Sequence, residues 1–325
     1  MVSLREIKAK GYIPQKMYVK MFIGGALSLS KTILLNMREL KKLRQLPPNT
    51  ERYKRPKREY EIPEYKPDMK VMNSNERYLR PTLYCDHRET EIVAIAHKLG
   101  AFKKPDREYA EAAFEFVKEH LTLEIIPLDN VSATLKRGTG TCFHLISVFI
   151  ALCRAAGIKA RYKVFAMNMI QAWYETTVEA DPLIKKWYDS MGYFMLEGEG
   201  EAFIDGEWVV AHVGPKAERQ AAAGIPITKF GEDSIGRWFF AIPGTIMRME
   251  SIPYGFSGST KLLKKLAPGS MERVNMSIIK QIERGHKIII ESGGFEAYDR
   301  MARAGKGPKK PVLEIEKMQQ IVFEE

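Results

Sequence analysis

The sequence predicts an α+β fold in which several helices precede an antiparallel sheet. Apolar residues recur at helical spacing over residues 89–121. A second helical pattern begins at about Cys142 and stops at Gly157, a residue typical of a helix C-terminus. The pair Asp205-Gly206, flanked by residues typical of strands, then predicts a tight β-hairpin. Helices followed by antiparallel strands indicate an α+β arrangement and not a parallel doubly wound sheet.

The composition is that of a globular protein that can bury a substantial core. Of the 325 residues, 45% are apolar and 28% are charged. We divide the chain into a basic segment (residues 1–70), a core (71–240) and a C-terminal helical extension (241–325). The three cysteines do not indicate a disulfide framework, because they are few and odd in number. They favour a reducing compartment, and we expect a cytoplasmic protein.

Positive charge is concentrated at the start of the chain. Residues 1–70 contain 17 Lys and Arg against 7 Asp and Glu, whereas the rest of the chain is nearly neutral. Such a segment favours an acidic partner protein or a membrane surface, although a solvated charged extension has the same composition. Nucleic acid is the less favoured partner, since the aromatic residues nearby form no RNA-binding signature.

Within this segment, the run Tyr18–Leu35 has helical spacing with one apolar face. Lys20 and Lys31 interrupt this run, so the pattern does not predict a membrane-spanning helix. We expect an amphipathic helix docked on the rest of the protein. A helix lying on a membrane surface or on a partner is the alternative, and it would make the protein peripherally membrane-associated. Five prolines in residues 47–70 then predict an extended linker.

The core is predicted to contain three helices that precede the strands. Its predicted elements are helices Glu89–Leu99, Asp106–Leu121 and Cys142–Ala156, a strand Ala160–Ala166, a polar helical insertion at about 170–190, and the hairpin 199–212. After residue 240 we expect charged helices as far as an apolar stretch near 321–323.

Cys142 is the candidate nucleophile. It follows a Gly-Thr-Gly-Thr turn and opens a helix, whose free amides and dipole favour thiolate over thiol. A small apolar residue filling the space beneath a turn would give the same local pattern. The surrounding sequence strengthens the interpretation of Cys142 as a nucleophile.

The stretch Gly140-Thr-Cys-Phe-His144, followed by Arg154-Ala-Ala-Gly-Ile-Lys-Ala-Arg161, resembles the signature of the transglutaminase-like superfamily. The resemblance covers about residues 85–215. It implies a papain-like core with a Cys-His-Asp triad. It also implies an activity that transfers or hydrolyses acyl groups at amide or thioester bonds. The family's substrates include proteins, peptides and small molecules, and the motifs here do not separate them.

The sequence departs from the family at two of the three triad positions. The stretch Glu201-Ala-Phe-Ile-Asp-Gly-Glu-Trp208 matches the middle of the family's hairpin motif. Counting from it, the His position holds Glu197 and the Asp position holds His212. Glu199 stands where the family has Trp.

Hairpin geometry places these exchanged residues together. With Asp205 and Gly206 as the turn, Glu199 lies opposite His212 on one face of the sheet, and Glu197 is the diagonal neighbour of His212. We therefore expect a carboxylate to fix the tautomer of His212 and to raise its pKa.

The resulting hypothesis is a cysteine-dependent enzyme with a rearranged site. Cys142 attacks the carbonyl, His212 carries the proton, and Glu197 or Glu199 orients His212, while backbone amides at the helix start hold the oxyanion. The alternative is a catalytically inactive scaffold that works through its basic segment. We expect no cofactor and no metal, since no phosphate-binding or zinc motif of standard spacing is present.

Overall fold

The computed structural model describes residues 16–38, 44–48, 52–191, 195–233, 240–241, 245–253 and 256–305. The helices are α1 Lys16–Leu35, α2 Thr90–Leu99, α3 Asp106–His120, α4 Val131–Arg137, α5 Cys142–Ala155, α6 Pro182–Met191, α7 Ala217–Ala222, α8 Phe256–Leu266, α9 Pro268–Glu291 and α10 Phe295–Ala304. The strands are β1 Thr122–Leu123, β2 Thr139–Gly140, β3 Ala160–Asn168, β4 Met195–Ile204, β5 Glu207–Ala211, β6 Phe240–Ala241 and β7 Met247–Met249. A short helical turn, Gln171–Trp173, and a π-helical turn, Tyr174–Val178, precede α6.

An antiparallel sheet supports the cysteine-bearing helix. Its strands follow the order β5-β4-β3-β6, and β7 also pairs with β3. Two short strands, β1 and β2, form a separate parallel pair. The sheet and the surrounding helices make an α+β fold, as the sequence predicts.

Helix α5 is the centre of the core. Every one of its residues is buried. Helices α2, α3 and α4 contact it, and it also packs against strands β3 and β4. Its sequence is apolar on every side, which is typical of a helix enclosed by protein. The fold therefore has the predicted arrangement, a nucleophile helix packed on an antiparallel sheet.

Arg154 fastens the end of α5 to the sheet. Its side chain is fully buried, and its Nε and Nη2 donate hydrogen bonds of 3.1 and 2.8 Å to the backbone oxygen of Ala160. It also donates to the backbone oxygens of Arg80 and Glu250, both at 2.9 Å. A buried guanidinium needs such acceptors to offset its desolvation. The arginine of the sequence signature thus has a structural role.

The hairpin has the predicted turn and register. Asp205 and Gly206 have φ angles of 52° and 85°, which is the left-handed pair that a type I′ turn requires. Phe203 pairs with Trp208, and the pairing continues as far as Gly200 and Ala211. The predicted cross-strand register is therefore confirmed over β4 and β5.

Two parts of the sequence-based prediction are wrong. Helix α4 was not expected; it has seven residues, too few for a clear periodicity, and the Asn130 side chain caps it by accepting from the Ala133 amide at 2.8 Å. Beyond residue 240 we expected helices, but Met247–Met249 forms a strand because it pairs with β3. The predicted apolar stretch near 321–323 lies outside the described residues.

Helix α1 contacts α6, and polar side chains take part in this contact. Ser28 and Thr32 face Ser190 at the end of α6. The side chains of Ile23 and Leu27 are 52% and 66% exposed. In the described part of the chain, no helix has both the length and the apolar character needed to cross a bilayer.

Candidate active site

Cys142 opens helix α5, as predicted. Cys142 is 8% exposed to solvent. The preceding Thr141 caps the helix, and the Thr141 amide donates a 2.9 Å hydrogen bond to Nδ1 of His144. His144 thus stabilises the helix start, where Asp129 is its other neighbour. The nucleophile candidate stands on a rigidly capped helix terminus.

Glu197 on strand β4 is the polar partner of Cys142. Its carboxylate accepts a hydrogen bond of 3.0 Å from the backbone amide of Gly198, and it borders the same cavity as Cys142. Burial raises the pKa of the Glu197 carboxyl to about 7, although the Gly198 amide, the Cys142 thiol and the charge of Arg219 act in the opposite direction. A carboxyl with this pKa can both accept and return a proton near neutral pH.

Three candidate groups meet around Gly214, a residue that follows β5. A Cβ built on Gly214 would lie 3.7 Å from Glu197 Oε1, 3.8 Å from Cys142 Cβ and 3.9 Å from His212 Nε2. The glycine leaves this volume open. The structure therefore brings Cys142, Glu197 and His212 to the border of one small space.

The Cys142 thiol does not have the low pKa that a helix start alone would give. Burial raises its pKa well above the ordinary value, and the negative charge of Glu197 raises it further. The amides of Phe143 and Cys142 act in the opposite direction, as expected for a helix N-terminus, but their effect is smaller. The sequence-based expectation of a ready thiolate is thus wrong for the resting site.

His212 is fully buried, and its pKa is lowered and not raised as expected. Burial has the largest effect, and the positive charges of Lys118, Lys163 and Arg219 add to it. Lys118 itself is buried, and its pKa falls to about 7, chiefly because of burial. The imidazole of His212 is therefore neutral at physiological pH.

Glu199 is buried beside Lys163 on the neighbouring strand. Its Oε2 lies 2.9 Å from Lys163 Nζ, which is also 2.9 Å from Asp233 Oδ2. We expected Glu199 to orient His212. The Glu199 carboxylate forms a buried ion pair with Lys163 and shares this lysine with Asp233.

Arg219 on helix α7 is a site residue that the sequence analysis missed. Its side chain is buried, and it lines the same cavity as Cys142 and Glu197. Burial lowers its pKa to about 10, which still leaves it positively charged at neutral pH. An arginine in a short, alanine-rich helix gives no sequence signal of burial, since arginine is usually exposed.

The structure offers little that would hold a metal. Within the described ranges, no three residues of the types His, Cys, Asp and Glu are grouped as metal ligands. Cys85 donates to the Ser147 carbonyl at 3.5 Å, and His87 Nε2 lies 2.8 Å from the Met72 carbonyl. These contacts are those of core residues.

Comparisons with known proteins address the same part of the chain. Residues 93–209 match the family model of the transglutaminase-like superfamily. A solved structure from Cytophaga hutchinsonii, described as a putative cysteine protease, is 18% identical with a TM-score of 0.31. That match covers 42% of this chain and 40% of the other. A search of curated proteins gives no match.

The family match includes Cys142, Glu197 and Glu199, whereas His212 and Arg219 follow it in the chain. It also contains helix α5 and strands β3 and β4, the elements on which the candidate nucleophile is built. Residues 93–209 of this chain are thus similar to the core that the transglutaminase-like superfamily model describes.

Proposed function

We propose that this protein is an enzyme that transfers or hydrolyses an acyl group at an amide or thioester bond through Cys142. One observation carries the proposal: Cys142 and Glu197 border the same cavity, where a Cβ on Gly214 would lie 3.8 Å from Cys142 Cβ and 3.7 Å from Glu197 Oε1. A nucleophile, a proton acceptor and an adjacent space for a substrate are the minimum for acyl transfer.

In the proposed reaction, Glu197 takes the place of the usual histidine. Its carboxylate accepts the thiol proton of Cys142 while the sulfur attacks the carbonyl carbon. The amides of Cys142 and Phe143, which lower the pKa of the thiol, hold the oxyanion in this proposal. The intermediate collapses to an acyl-thioester as the leaving amine or thiol takes the proton from Glu197. Water or an acceptor then removes the acyl group with Glu197 again as the base.

The sequence analysis gave the proton-transfer role to His212, and this assignment is the alternative within the same mechanism. The cations around His212 make its protonated form costly, which favours Glu197. Two neutral variants, Glu197→Gln and His212→Gln, separate the two assignments. We expect the first to lose turnover about 100-fold or more and the second to lose less, because general-base catalysis contributes about 10²–10⁴-fold.

The first test uses an activated acyl donor, since the natural substrate is unidentified. We would incubate the protein with p-nitrophenyl acetate and locate the acetyl group by mass spectrometry. The proposal expects acetylation at Cys142 and its loss in Cys142→Ala. The matched control is Cys153→Ala, which removes a fully buried thiol from the same helix.

A site that is no longer catalytic would give a different result. Wild type and Cys142→Ala would then release p-nitrophenol at the same rate, and no acetyl group would be found on Cys142. That outcome would favour the inactive scaffold, the alternative function that the raised pKa of the thiol supports.

A second function is supported by helix α1. This helix belongs to the basic residues 1–70, and its Ile23, Leu27 and Leu34 are 52%, 66% and 69% exposed. Ser28 and Thr32 face the protein body through Ser190. Apolar side chains directed outward in a basic segment favour attachment to an anionic membrane surface.

Vesicle sedimentation tests this attachment. We expect binding to vesicles of phosphatidylserine and phosphatidylcholine, no binding to phosphatidylcholine alone, and steep loss of binding as salt rises. The double variant Ile23→Ser/Leu27→Ser should weaken it, whereas Met301→Ser, at an exposed position on α10, should not. Binding that is equal for all three proteins would overturn the assignment.

A further inference from the structure

Arg219 is a buried cation that forms no close ion pair in the described part of the chain, although the charge of Glu197 acts on it. Arg219 is 6% exposed to solvent. Its guanidinium donates one hydrogen bond within the described residues, from Nε to Gln281 Oε1 at 3.0 Å. No carboxylate oxygen of these residues lies within 4.0 Å of it. Burying an unpaired charge is costly, so such groups normally have a counterion or bind one.

The neighbours of Arg219 fix its orientation. The guanidinium lies over the ring of Trp173, with Cζ 4.7 Å from the ring centroid, and Nε is held by Gln281. Stacking and the Nε hydrogen bond occupy one face and one donor of the planar group. The remaining N–H donors have no acceptor within the described part of the chain, although the side chain borders the cavity.

The helix that carries Arg219 is held firmly in place. A Cβ on Gly285 of α9 would lie 1.6 Å from the backbone oxygen of Glu218, the residue before Arg219. The absence of a side chain at Gly285 thus allows α9 to approach α7 this closely. Arg219 is therefore presented to the cavity by a rigid pair of helices.

The cavity itself joins Arg219 to the nucleophile. It has a volume of about 40 Å³ and is bordered by Cys142, Glu197 and Arg219. Leu123, Ile125 and Met167 are among its apolar walls. At about 10–15 Å³ for one water, this space admits only a small group. It combines an apolar wall with one cation, which suits a short aliphatic segment that ends in an anion.

We propose that Arg219 binds a carboxylate of the acyl substrate, so that the enzyme acts on acyl groups that carry a negative charge close to the scissile carbonyl. This inference rests on the proposed function of Cys142. Arginine presents paired donors to a carboxylate and is the side chain best suited to that contact. A substrate anion would supply a counterion within hydrogen-bond distance of the guanidinium, which no carboxylate of the described residues provides.

Two alkylating reagents of nearly equal size test this charge recognition. Iodoacetate and iodoacetamide both form a carbon–sulfur bond with the Cys142 thiolate as iodide leaves, and they differ in a carboxylate against an amide. Because both require the same thiolate, the ratio of their rates is independent of the thiol pKa. The ratio therefore reports recognition of the carboxylate and not activation of the sulfur.

We expect iodoacetate to be favoured at Cys142 by about tenfold relative to the same ratio for glutathione, the size of one charge-assisted hydrogen bond. Arg219→Gln should bring the ratio to that of glutathione, and Arg219→Lys should keep part of the preference. Arg107→Gln removes one positive charge from an exposed position on α3 and should leave the ratio unchanged. Circular dichroism verifies that each variant is folded.

A wild-type ratio equal to that of glutathione, or one that Arg219→Gln does not change, would overturn the carboxylate site while leaving the reactivity of Cys142 intact. If neither reagent labels Cys142, the proposed acyl transfer fails instead. A second measurement then decides the anion site: Tm with sodium acetate against sodium chloride at equal ionic strength. Acetate should raise the Tm of the wild type and not that of Arg219→Gln. An equal Tm in both salts would overturn the site.

Discussion

Cys142 and the Glu197 carboxyl group border the same small space at Gly214, and both residues are buried. The charge of Glu197 opposes ionisation of the thiol, because the thiolate and the carboxylate would both be negative, whereas burial is what raises the pKa of Glu197. The resting state is therefore a neutral thiol beside a carboxyl that titrates near neutrality. This differs from a thiolate stabilised by an imidazolium. Here, loss of the Glu197 charge should increase the reactivity of the sulfur and decrease catalysis.

The first prediction concerns that opposition. Glu197→Gln removes the negative charge beside the sulfur, so the thiol pKa should fall and iodoacetamide should label Cys142 about tenfold faster at pH 7. Turnover of an acyl donor should fall at the same time, because the base is lost. Labelling is followed by mass spectrometry, and turnover by product release.

The control for this prediction is Glu207→Gln, at an exposed position on β5. It changes the net charge equally and should affect neither rate. If labelling and turnover fell together in Glu197→Gln, the carboxylate would be assisting thiolate formation in the resting enzyme, contrary to the mechanism proposed here.

The second prediction concerns stability against pH. The pKa of Glu197 is raised from 4.5 to about 7 in the folded protein. Its stabilising contribution is therefore fully present below about pH 4.5 and is lost as the pH rises through 7, since the unfolded state ionises the group more easily. A glutamine at this position does not ionise and would carry no such cost. Above pH 7, Glu197→Gln should exceed the wild type in free energy of unfolding by about 3 kcal/mol.

Urea denaturation at pH 4.5 and pH 8 measures this difference. The two proteins should be nearly equal in stability at the lower pH and separate at the higher pH. A difference that is the same at both values would mean that the Glu197 carboxyl does not titrate between them.

The third prediction concerns the space in front of the nucleophile. Gly214→Ala adds a methyl group at ordinary contact distance, 3.7 Å from Glu197 Oε1 and 3.8 Å from Cys142 Cβ. The fold should tolerate it, with Tm within about 2 °C of the wild type. Turnover should fall at least about tenfold, because the methyl group occupies the substrate's position. Full activity in a folded Gly214→Ala protein would place the substrate elsewhere.

The fourth prediction compares two glycines in adjoining helices. Gly285→Ala forces a Cβ against the Glu218 carbonyl, whereas Gly258→Ala places one in open space. We expect the first to destabilise the protein by about 2–3 kcal/mol or to displace α7, and the second to be neutral or slightly stabilising. Urea denaturation measures both. Equal stability of the two variants would show that α7 and α9 can separate without cost.

Gly285→Ala also tests whether the position of α7 affects the candidate active site. Since α7 carries Arg219, displacement of this helix should reduce the preference of Cys142 for iodoacetate over iodoacetamide. A destabilised variant that retained the full preference would indicate that the position of Arg219 does not depend on α9.

Local sequence patterns were sufficient for most of the elements that carry the site. The hairpin at Asp205-Gly206 followed from turn chemistry, and its register then fixed which residues of β4 and β5 face each other. The helix from Cys142 followed from its apolar residues and from Gly157. Strand β7 did not, because three residues have no periodicity and gain their structure by pairing with β3.

The electrostatics of the site could not be predicted in the same way. From sequence, a carboxylate next to His212 implied a raised pKa, but burial and three cations brought from distant parts of the chain reverse the sign. The ion pair of Glu199 with Lys163 also has no signal in the sequence. Such effects depend on distances between residues that lie far apart in the sequence.

The sequence by itself determined that a cysteine opens a buried helix beside an antiparallel hairpin, because helix caps, glycine turns and alternating side chains are local properties. Only the tertiary structure decided which group lies against that cysteine and which charges surround it. Glu197 meets Cys142 through the packing of β4 on α5, and Arg219 reaches the same cavity through the contact of α7 with α9. Packing and burial set these distances, and the ionisation of each group follows from them.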